Sequence, residues 1–315
     1  MIEQFAKSVD IGLSKPEKTL PSKYFYDKNG DALFVEIMNM PEYYLTRCEM
    51  EIFSTQTAAL IESFQADKNT YFELIELGAG DGTKTSKLLE ALSTEGYQFD
   101  YLPVDISKNS LDQLQTSLEQ SLPDVSVIPK HGDYFEMLGS IKDSHHPKVV
   151  LFLGSNIGNM TDAVASDFLY QLGANLSKGD KLLLGTDLIK SADIVLPAYN
   201  DKKGITSEFN INLLHRMNAE LGASFDPDEF VHAPEYCIDE GIAKSYLLSA
   251  RKQSVEIEAT GKTYHFKEGE KIHTEISRKY NDDILSRILA KTDFEITQKF
   301  TDQNNYFADY LLSRN

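Results

Sequence analysis

The sequence predicts an α/β protein: a doubly wound parallel sheet with a second α+β lobe. Three observations carry this. Short apolar, β-branched or leucine-rich segments alternate with helical patterns from about residue 70 to 190, as parallel strands joined by helices must. A glycine-rich turn separates the first of these strands from its helix. After Leu188 the alternation stops and hairpin-like segments follow.

In chain order, Glu17 to Asn29 reads as irregular, with Pro21 and Asn29-Gly30 as breakers. Asp31 to Asn39 reads as a helix with Leu33, Phe34, Ile37 and Met38 on one face. Thr46 to Ser63 reads as a second helix, through Met50, Ile52, Phe53, Ala58 and Leu60. Strands are expected at Tyr71–Leu77, Phe99–Val104, Val125–Pro129, Lys148–Leu153 and Lys181–Thr186, with helices at Thr83–Ala91, Ser110–Leu118 and Asp162–Leu176. Beyond Leu188, Ser207–Leu221 reads as a helix. Ala243–Arg251, Ser254–Ala259 and Lys262–Phe266 read as antiparallel strands, with Thr260-Gly261 as a turn. Ile272–Arg278 reads as a strand or a strand-to-helix junction, Asn281–Lys291 as a helix, and Asp293–Phe300 with Tyr306–Leu312 as a closing hairpin.

Composition narrows the function classes. Of 315 residues, 41% are hydrophobic and 25% charged, which is ordinary for a globular chain and not for a disordered one. The net charge of −18, from 49 acidic against 31 basic residues, argues against nucleic acid or an anionic membrane as a partner. No stretch approaches the roughly 18 apolar residues of a membrane span, and the N-terminal residues do not resemble a signal peptide. Two cysteines, Cys48 and Cys237, make no disulfide framework. A cytoplasmic, reduced protein is expected. His145-His146 reads as a surface loop, and the other five histidines have no ligand-like spacing, so no metal site is expected.

The most informative motif is Glu76-Leu-Gly78-Ala-Gly80-Asp-Gly82-Thr-Lys84-Thr, which follows a strand and opens a helix. Glycines permit the tight turn and let a ligand lie against the backbone. A dinucleotide fingerprint needs a third glycine where Thr83 stands, and no phosphate-cradling G-x-x-x-x-G-K-[ST] is present. Two further acids end the next strands. Asp105, in Pro103-Val-Asp-Ile-Ser107, is placed to grip ribose hydroxyls, although Asp105 or Ser107 serves equally as a helix N-cap. Asp133-Tyr134 is placed to accept from an adenine amino group and to pack on the base. Two glycines and two asparagines in Gly154-Ser-Asn156-Ile-Gly158-Asn159 give close backbone approach and amide hydrogen bonding at the end of the fourth strand.

The glycine loop resembles motif I of class I S-adenosylmethionine (SAM) methyltransferases, which implies their Rossmann-like sheet. A narrower resemblance runs along nearly the whole chain, to the histidine-specific, SAM-dependent methyltransferases, whose best-known member makes trimethylhistidine (hercynine) for ergothioneine synthesis. It is carried by Lys23-Tyr-Phe-Tyr-Asp27, Met40-Pro-Glu-Tyr-Tyr44 with Thr46-Arg47, Gly154-Ser155 with Ile157-Gly-Asn159, Leu182 to Asp187, Ala198 to Asp201, and Ile272-His-Thr-Glu-Ile-Ser277. The resemblance implies SAM as cofactor, S-adenosyl-L-homocysteine as its product, and histidine, methylated on its α-amine, as substrate. By position, Gly78 and Lys84, with the loop glycine Gly80, fall in the cofactor set together with Asp105, Asp133 and Tyr134. Tyr43 matches an aromatic beside the imidazole, Asn159 and Tyr199 match residues that hold the amino and carboxylate groups, and Glu275 and Ser277 match residues that read the imidazole nitrogens. Tyr26 and Gly154 fall on the amine pocket, and Asn159 and Tyr26 are the residues expected to serve the transfer itself. The family's well-studied member has a methionine where Ser245, a smaller and polar residue, stands beside the substrate ring, so another amino acid is an alternative substrate.

The expected division is a SAM-binding domain at 60–190 plus 275–315 and a substrate-binding lobe at 1–59 plus 191–274. The protein is expected to act as a monomer on a small-molecule amino acid. A nicotinamide-dependent oxidoreductase is disfavoured by the missing third glycine and by Asp133-Tyr134. A non-catalytic amino-acid-binding relative is the rival of another class.

Overall fold

Six parallel strands and one antiparallel hairpin build the larger sheet. A computed structural model describes residues 2–133, 137, 139 and 144–315. The sheet's strands are β2 (Phe72–Leu77), β3 (Phe99–Asp105), β4 (Ser126–Val127), β5 (Lys130–His131), β6 (Lys148–Phe152), β7 (Lys181–Asp187), β13 (Phe294–Thr301) and β14 (Phe307–Arg314). Their order is β13-β14-β7-β6-β2-β3-β4, with β5 also on β3. β14 runs antiparallel to both β7 and β13, and the rest are parallel. The chain winds outward one way through β3 and the other way through β6, so the strand order reverses between β2 and β6. Ligands bind open α/β sheets beyond the strand ends at such a switch point.

The helices lie where the alternation places them: α4 (Thr57–Phe64), α5 (Thr85–Thr94), α6 (Lys108–Ser121), α7 (Asp162–Ala174) and α10 (Asp282–Leu289). Phe168, Leu169 and Leu172 of α7 and Leu285 and Ile288 of α10 close over Val150, Phe152, Leu182 and Leu184 in one buried cluster. The strands β6 and β7 are buried along their whole length, which explains their continuous apolar runs.

These strands and helices belong to a compact unit of Leu45–Ile189 and Arg278–Asn315; a second unit comprises Met1–Tyr44 and Lys190–Ser277. In the second unit β1 (Lys18–Thr19), β12 (Lys271–Arg278), β9 (Ile242–Ser249) and β8 (Phe230–Cys237) form a sheet, and β10 (Gln253–Ile257) pairs with β11 (Lys262–Phe266). Its core gathers Phe5, Val9 and Leu13 of α1 (Ile2–Leu13) and Phe209, Leu213 and Met217 of α9 (Ile205–Leu221). Phe230, Leu247, Val255, Phe266 and Ile272 complete it. The unit's other helices are α2 (Lys28–Met38) and α8 (Ala192–Tyr199), whereas α3 (Tyr44–Thr55) belongs to the larger unit from Leu45 onward. Among the described residues no helix is long and apolar enough to cross a membrane.

Three local expectations are corrected. Asn29-Gly30 does not break the chain but lies in the first turn of α2, because Asp27 caps that helix by accepting from the Gly30 N–H at 2.7 Å. Glycine is required there for a close approach: an added Cβ would lie 1.8 Å from the Phe25 carbonyl oxygen. The single helix expected over Thr46–Ser63 is two, α3 and α4, parted at Gln56 (φ −124°), whose side-chain amide donates to the Thr301 carbonyl at 2.9 Å. The strand expected at Val125–Pro129 is reduced to the two residues of β4, with β5 pairing separately. The elements α8 and β8 carry no clear periodic signal; Pro197 sits inside α8.

A buried ion pair lies within the larger unit, at the end of β7. The Lys279 ammonium lies 2.7 Å from the Asp187 carboxylate, with both side chains wholly buried. Replacing Lys279 with Met removes the ammonium that sits against this wholly buried carboxylate, so chemical denaturation is expected to show a loss of about 3–5 kcal/mol.

Candidate active site

The glycine loop leaves β2 through three left-handed glycines, Gly78 (φ +75°), Gly80 (φ +56°) and Gly82 (φ +65°), a conformation that favours glycine at these positions. Its base is held by buried polar contacts. Glu76, at the end of β2, accepts from the Thr85 hydroxyl at 2.8 Å and from the Tyr101 hydroxyl. Burial pushes the Glu76 carboxyl up to about 7, against the opposing pull of those two hydrogen bonds and of the Lys84 charge. Glu76 therefore fastens the base of the loop through Thr85 and Tyr101.

Asp105 ends β3 beside the loop. One carboxylate oxygen accepts from the Gly80 N–H at 3.0 Å and the other from the Ser107 N–H at 2.8 Å. The cap of α6 is Ser107, which accepts from the Ser110 N–H at 3.1 Å. The two roles left open by the sequence are thereby separated. The loop fits a cofactor laid along its backbone: among the described residues, a Cβ added to Gly80 would meet no atom within 4 Å. A carboxylate suited to paired hydroxyls stands next to it. Asp133 follows β5, half-buried, and Tyr134 lies outside the described residues.

At the end of β6 two successive residues take the left-handed conformation, Gly154 (φ +68°) and Ser155 (φ +59°). For serine this is costly, and such strain gathers at functional turns. The Ser155 hydroxyl accepts from the Asp187 N–H at 2.9 Å and its carbonyl from the Gly158 N–H at 2.8 Å, which hold the turn. Asn159 closes the 3-10 turn Asn156–Asn159 and is half-buried. Asn156 was read from sequence only as one of two asparagines offering an amide at this strand end. Its side-chain nitrogen would stand 2.6 Å from a Cβ at Gly78, so it lies directly against the glycine loop. Lys84 turns toward Glu49 of α3, with which it forms a buried ion pair. Burial works most strongly against the ammonium, but the charge and hydrogen bond of Glu49, with the charges of Glu76 and Asp309, together raise Lys84 above the ordinary lysine range.

The remaining expected residues belong to the smaller unit. Tyr26 packs edge-on against Phe34 (centroids 5.5 Å apart) and Phe209 (5.8 Å), and Phe34 packs against Tyr43 (6.4 Å). Phe34, read from sequence only as one residue of a helix face, joins the two tyrosines. The Tyr199 hydroxyl, at the end of α8, donates to the Ser277 hydroxyl at 2.7 Å. The Ser245 hydroxyl donates to the Glu275 carboxylate at 3.2 Å, and Ser245 is itself 1% exposed. The alternation expected along β12 breaks: Ile272 and Thr274 are buried, Glu275 and Ile276 half-buried, Ser277 and Arg278 buried. Tyr246 packs its ring on His273, 5.2 Å away. Thus Tyr26, Tyr43, Tyr199, Ser245, Glu275 and Ser277 fall in the smaller unit, whereas Gly154 and Asn159 share the larger one with the cofactor set.

Strand order, the glycine loop and the acid at the end of β3 define a class I SAM-dependent methyltransferase. The model of one family, described as "Histidine-specific methyltransferase, SAM-dependent", matches residues 5–314. The chain belongs to that family. It is 36% identical over 99% of its length to a histidine N-alpha-methyltransferase of Mycolicibacterium smegmatis, covering 95% of that protein. It is also 36% identical to the Mycobacterium tuberculosis histidine N-alpha-methyltransferase, over 98% of this chain and 94% of that one. Ergothioneine biosynthesis protein 1 of Schizosaccharomyces pombe is 28% identical over 94% of this chain, which spans 39% of that longer protein.

Proposed function

We propose that this protein transfers methyl groups from SAM to the α-amine of histidine, up to trimethylhistidine. The observation that carries the reading is the 36% identity, over 99% of the chain, to a histidine N-alpha-methyltransferase. The site residues support it. Bound SAM supplies an electrophilic methyl group on a sulfonium, so the protein's task is alignment and exclusion of water.

Gly78 and Gly80 would let the cofactor approach the backbone, and Asp105 would accept from its ribose hydroxyls. Asp133 and Tyr134 would serve the adenine side. Asn159 would orient the amine lone pair. The α-ammonium must lose its proton before the nitrogen attacks the methyl group; that proton is assigned to solvent and no dedicated base is named. The faces of Tyr26 and Tyr43, set by Phe34, suit a quaternary ammonium product. Glu275 and Ser277 would read the two imidazole nitrogens. The Ser245 hydroxyl bonded to Glu275 supports histidine, because it orients the carboxylate that the ring requires. The reading extends to a monomeric cytoplasmic enzyme with no metal. The free thiols of Cys48 and Cys237 suit a reduced compartment, and the net charge of −18 supports the absence of a nucleic-acid or membrane partner.

Incubation with SAM and each amino acid in turn, followed by mass spectrometry, tests this. Singly, doubly and triply methylated histidine are expected. Methylation of another amino acid in preference would replace the substrate, and histidine binding without transfer would overturn the enzymatic reading.

A further inference from the structure

Two buried carboxyl groups converge within the larger unit at a point the mechanism does not use. Glu49, on α3, is wholly buried. One of its oxygens accepts from the Gly154 N–H at 2.8 Å, and the other lies 3.1 Å from the same N–H and pairs with the Lys84 ammonium. Asp309, on β14, is also wholly buried, and among the described residues neither of its oxygens receives a hydrogen bond from a donor. Asp309 stands opposite Gly185 of β7 in the sheet register. An added Cβ at Gly185 would lie 2.4 Å from a Glu49 oxygen and 3.1 Å from an Asp309 oxygen. The two carboxyls therefore fill the space that a side chain at position 185 would occupy. Two ionised carboxylates cannot be held this way in a buried site, whereas one proton between them converts a repulsion into a hydrogen bond.

We infer that Glu49 and Asp309 share one proton and act as positioning residues: Asp309 donates to Glu49, which in turn fixes the Lys84 ammonium and the Gly154 N–H. The arrangement couples the glycine loop to the left-handed turn after β6 through a single carboxylate. The charged groups acting on the pair are Lys84, from the start of α5, and Glu76, from the end of β2, which acts through Lys84 and Glu49. Burial first, then the negative charge of Glu49, raises the Asp309 carboxyl well above the ordinary range, with Lys84 opposing. The inference rests on the methyltransferase reading only insofar as Lys84 and Gly154 serve ligands.

Because the folded state favours neutral Asp309, its contribution to stability is complete below the ordinary carboxylate value of about 3.9 and is lost as pH rises above it. Asp309→Asn keeps a neutral donor and removes that loss. Its melting temperature is therefore expected to gain steadily on the wild type from about pH 4 to pH 8. In the wild-type minus variant infrared spectrum at neutral pH, a protonated-carboxyl C=O band is expected. Asp309→Asn should bind S-adenosyl-L-homocysteine at least about tenfold more tightly than Asp309→Ala, and Glu49→Gln, which turns an amide nitrogen toward two donors, should weaken that binding about tenfold.

Absence of the infrared band together with parallel melting curves would overturn the shared proton. Wild-type affinity in folded Glu49→Gln would overturn the positioning role, as would equal affinities of the Asn and Ala variants at 309, and that comparison stands even where Glu49→Gln does not fold. Failure of the wild type itself to bind the demethylated cofactor would overturn the methyltransferase reading instead, while the melting and infrared arms still report on the proton.

Discussion

Asn159→Ala is expected to lower kcat/KM for histidine about 100-fold or more while the affinity for S-adenosyl-L-homocysteine changes less than about threefold. The residue ends a turn whose backbone is independently held. The Met160 N–H donates to the Ile157 carbonyl at 3.1 Å, and Gly158 is pressed so closely on Arg278 that an added Cβ would lie 2.9 Å from its carbonyl oxygen. Truncating the side chain therefore removes an amide without releasing the turn. An amine whose lone pair is no longer aimed at the methyl group reacts from few of its bound orientations, and positional errors of this kind carry large kinetic costs. Steady-state kinetics and calorimetric titration of the same preparation separate the two effects. A parallel loss of cofactor affinity would assign Asn159 to the cofactor instead.

Asp105→Ala is expected to weaken S-adenosyl-L-homocysteine by about 100-fold, which corresponds to about 2.7 kcal/mol. Charge-assisted hydrogen bonds contribute about 1.5–3 kcal/mol each, and two ribose hydroxyls are at stake. The change also frees the Gly80 N–H, which the carboxylate holds at 3.0 Å, so the loop loses an anchor at the same time. The Ser107 hydroxyl still caps α6 by accepting from the Ser110 N–H, although the Ser107 N–H loses its bond to the Asp105 carboxylate. Calorimetric titration reads the affinity. A change below about threefold would remove Asp105 from the cofactor set.

The parts of the fold that were legible in the sequence are those governed by neighbours in the chain. The alternation of buried strands with helices from 70 to 190 is a local hydrophobic pattern, and it places β2, β3, β6, β7 and α7 within a few residues of their observed limits. The capping of α2 was missed because Asn29-Gly30 reads as a turn when the Asp27 cap and the Phe25 carbonyl pressing on Gly30 are out of view. The break between α3 and α4 depends on a contact from Gln56 to Thr301, 245 residues away, which no local periodicity encodes. In the candidate site, the glycine loop and the acid after β3 were legible because their geometry is set by the backbone and by strand ends. Phe34 and Glu49 were not, and the Asn156 amide was legible without its placement against Gly78, since nothing in the local sequence says which remote partner a side chain faces.

By itself the sequence determined the α/β class, the loop that leaves β2, the family and the set of residues offered to a cofactor and an amino acid. Spacing and residue type suffice for these because strand ends and glycine turns impose their geometry within a few residues. Only the tertiary structure decided that Glu76 braces the loop from beneath, that Ser107 and not Asp105 caps α6, and that Tyr199 meets Ser277 across 78 residues of chain. It alone brought Glu49, Lys84, Gly154 and Asp309 together, over separations of 35 and 105 residues for the two bonds that Glu49 makes to Lys84 and Gly154. The physical reason is burial. A carboxyl group's protonation and partner depend on what surrounds it in space, and a charge that reads as solubilising surface in the sequence becomes, once removed from water, a group that must find a cation, a donor or a proton.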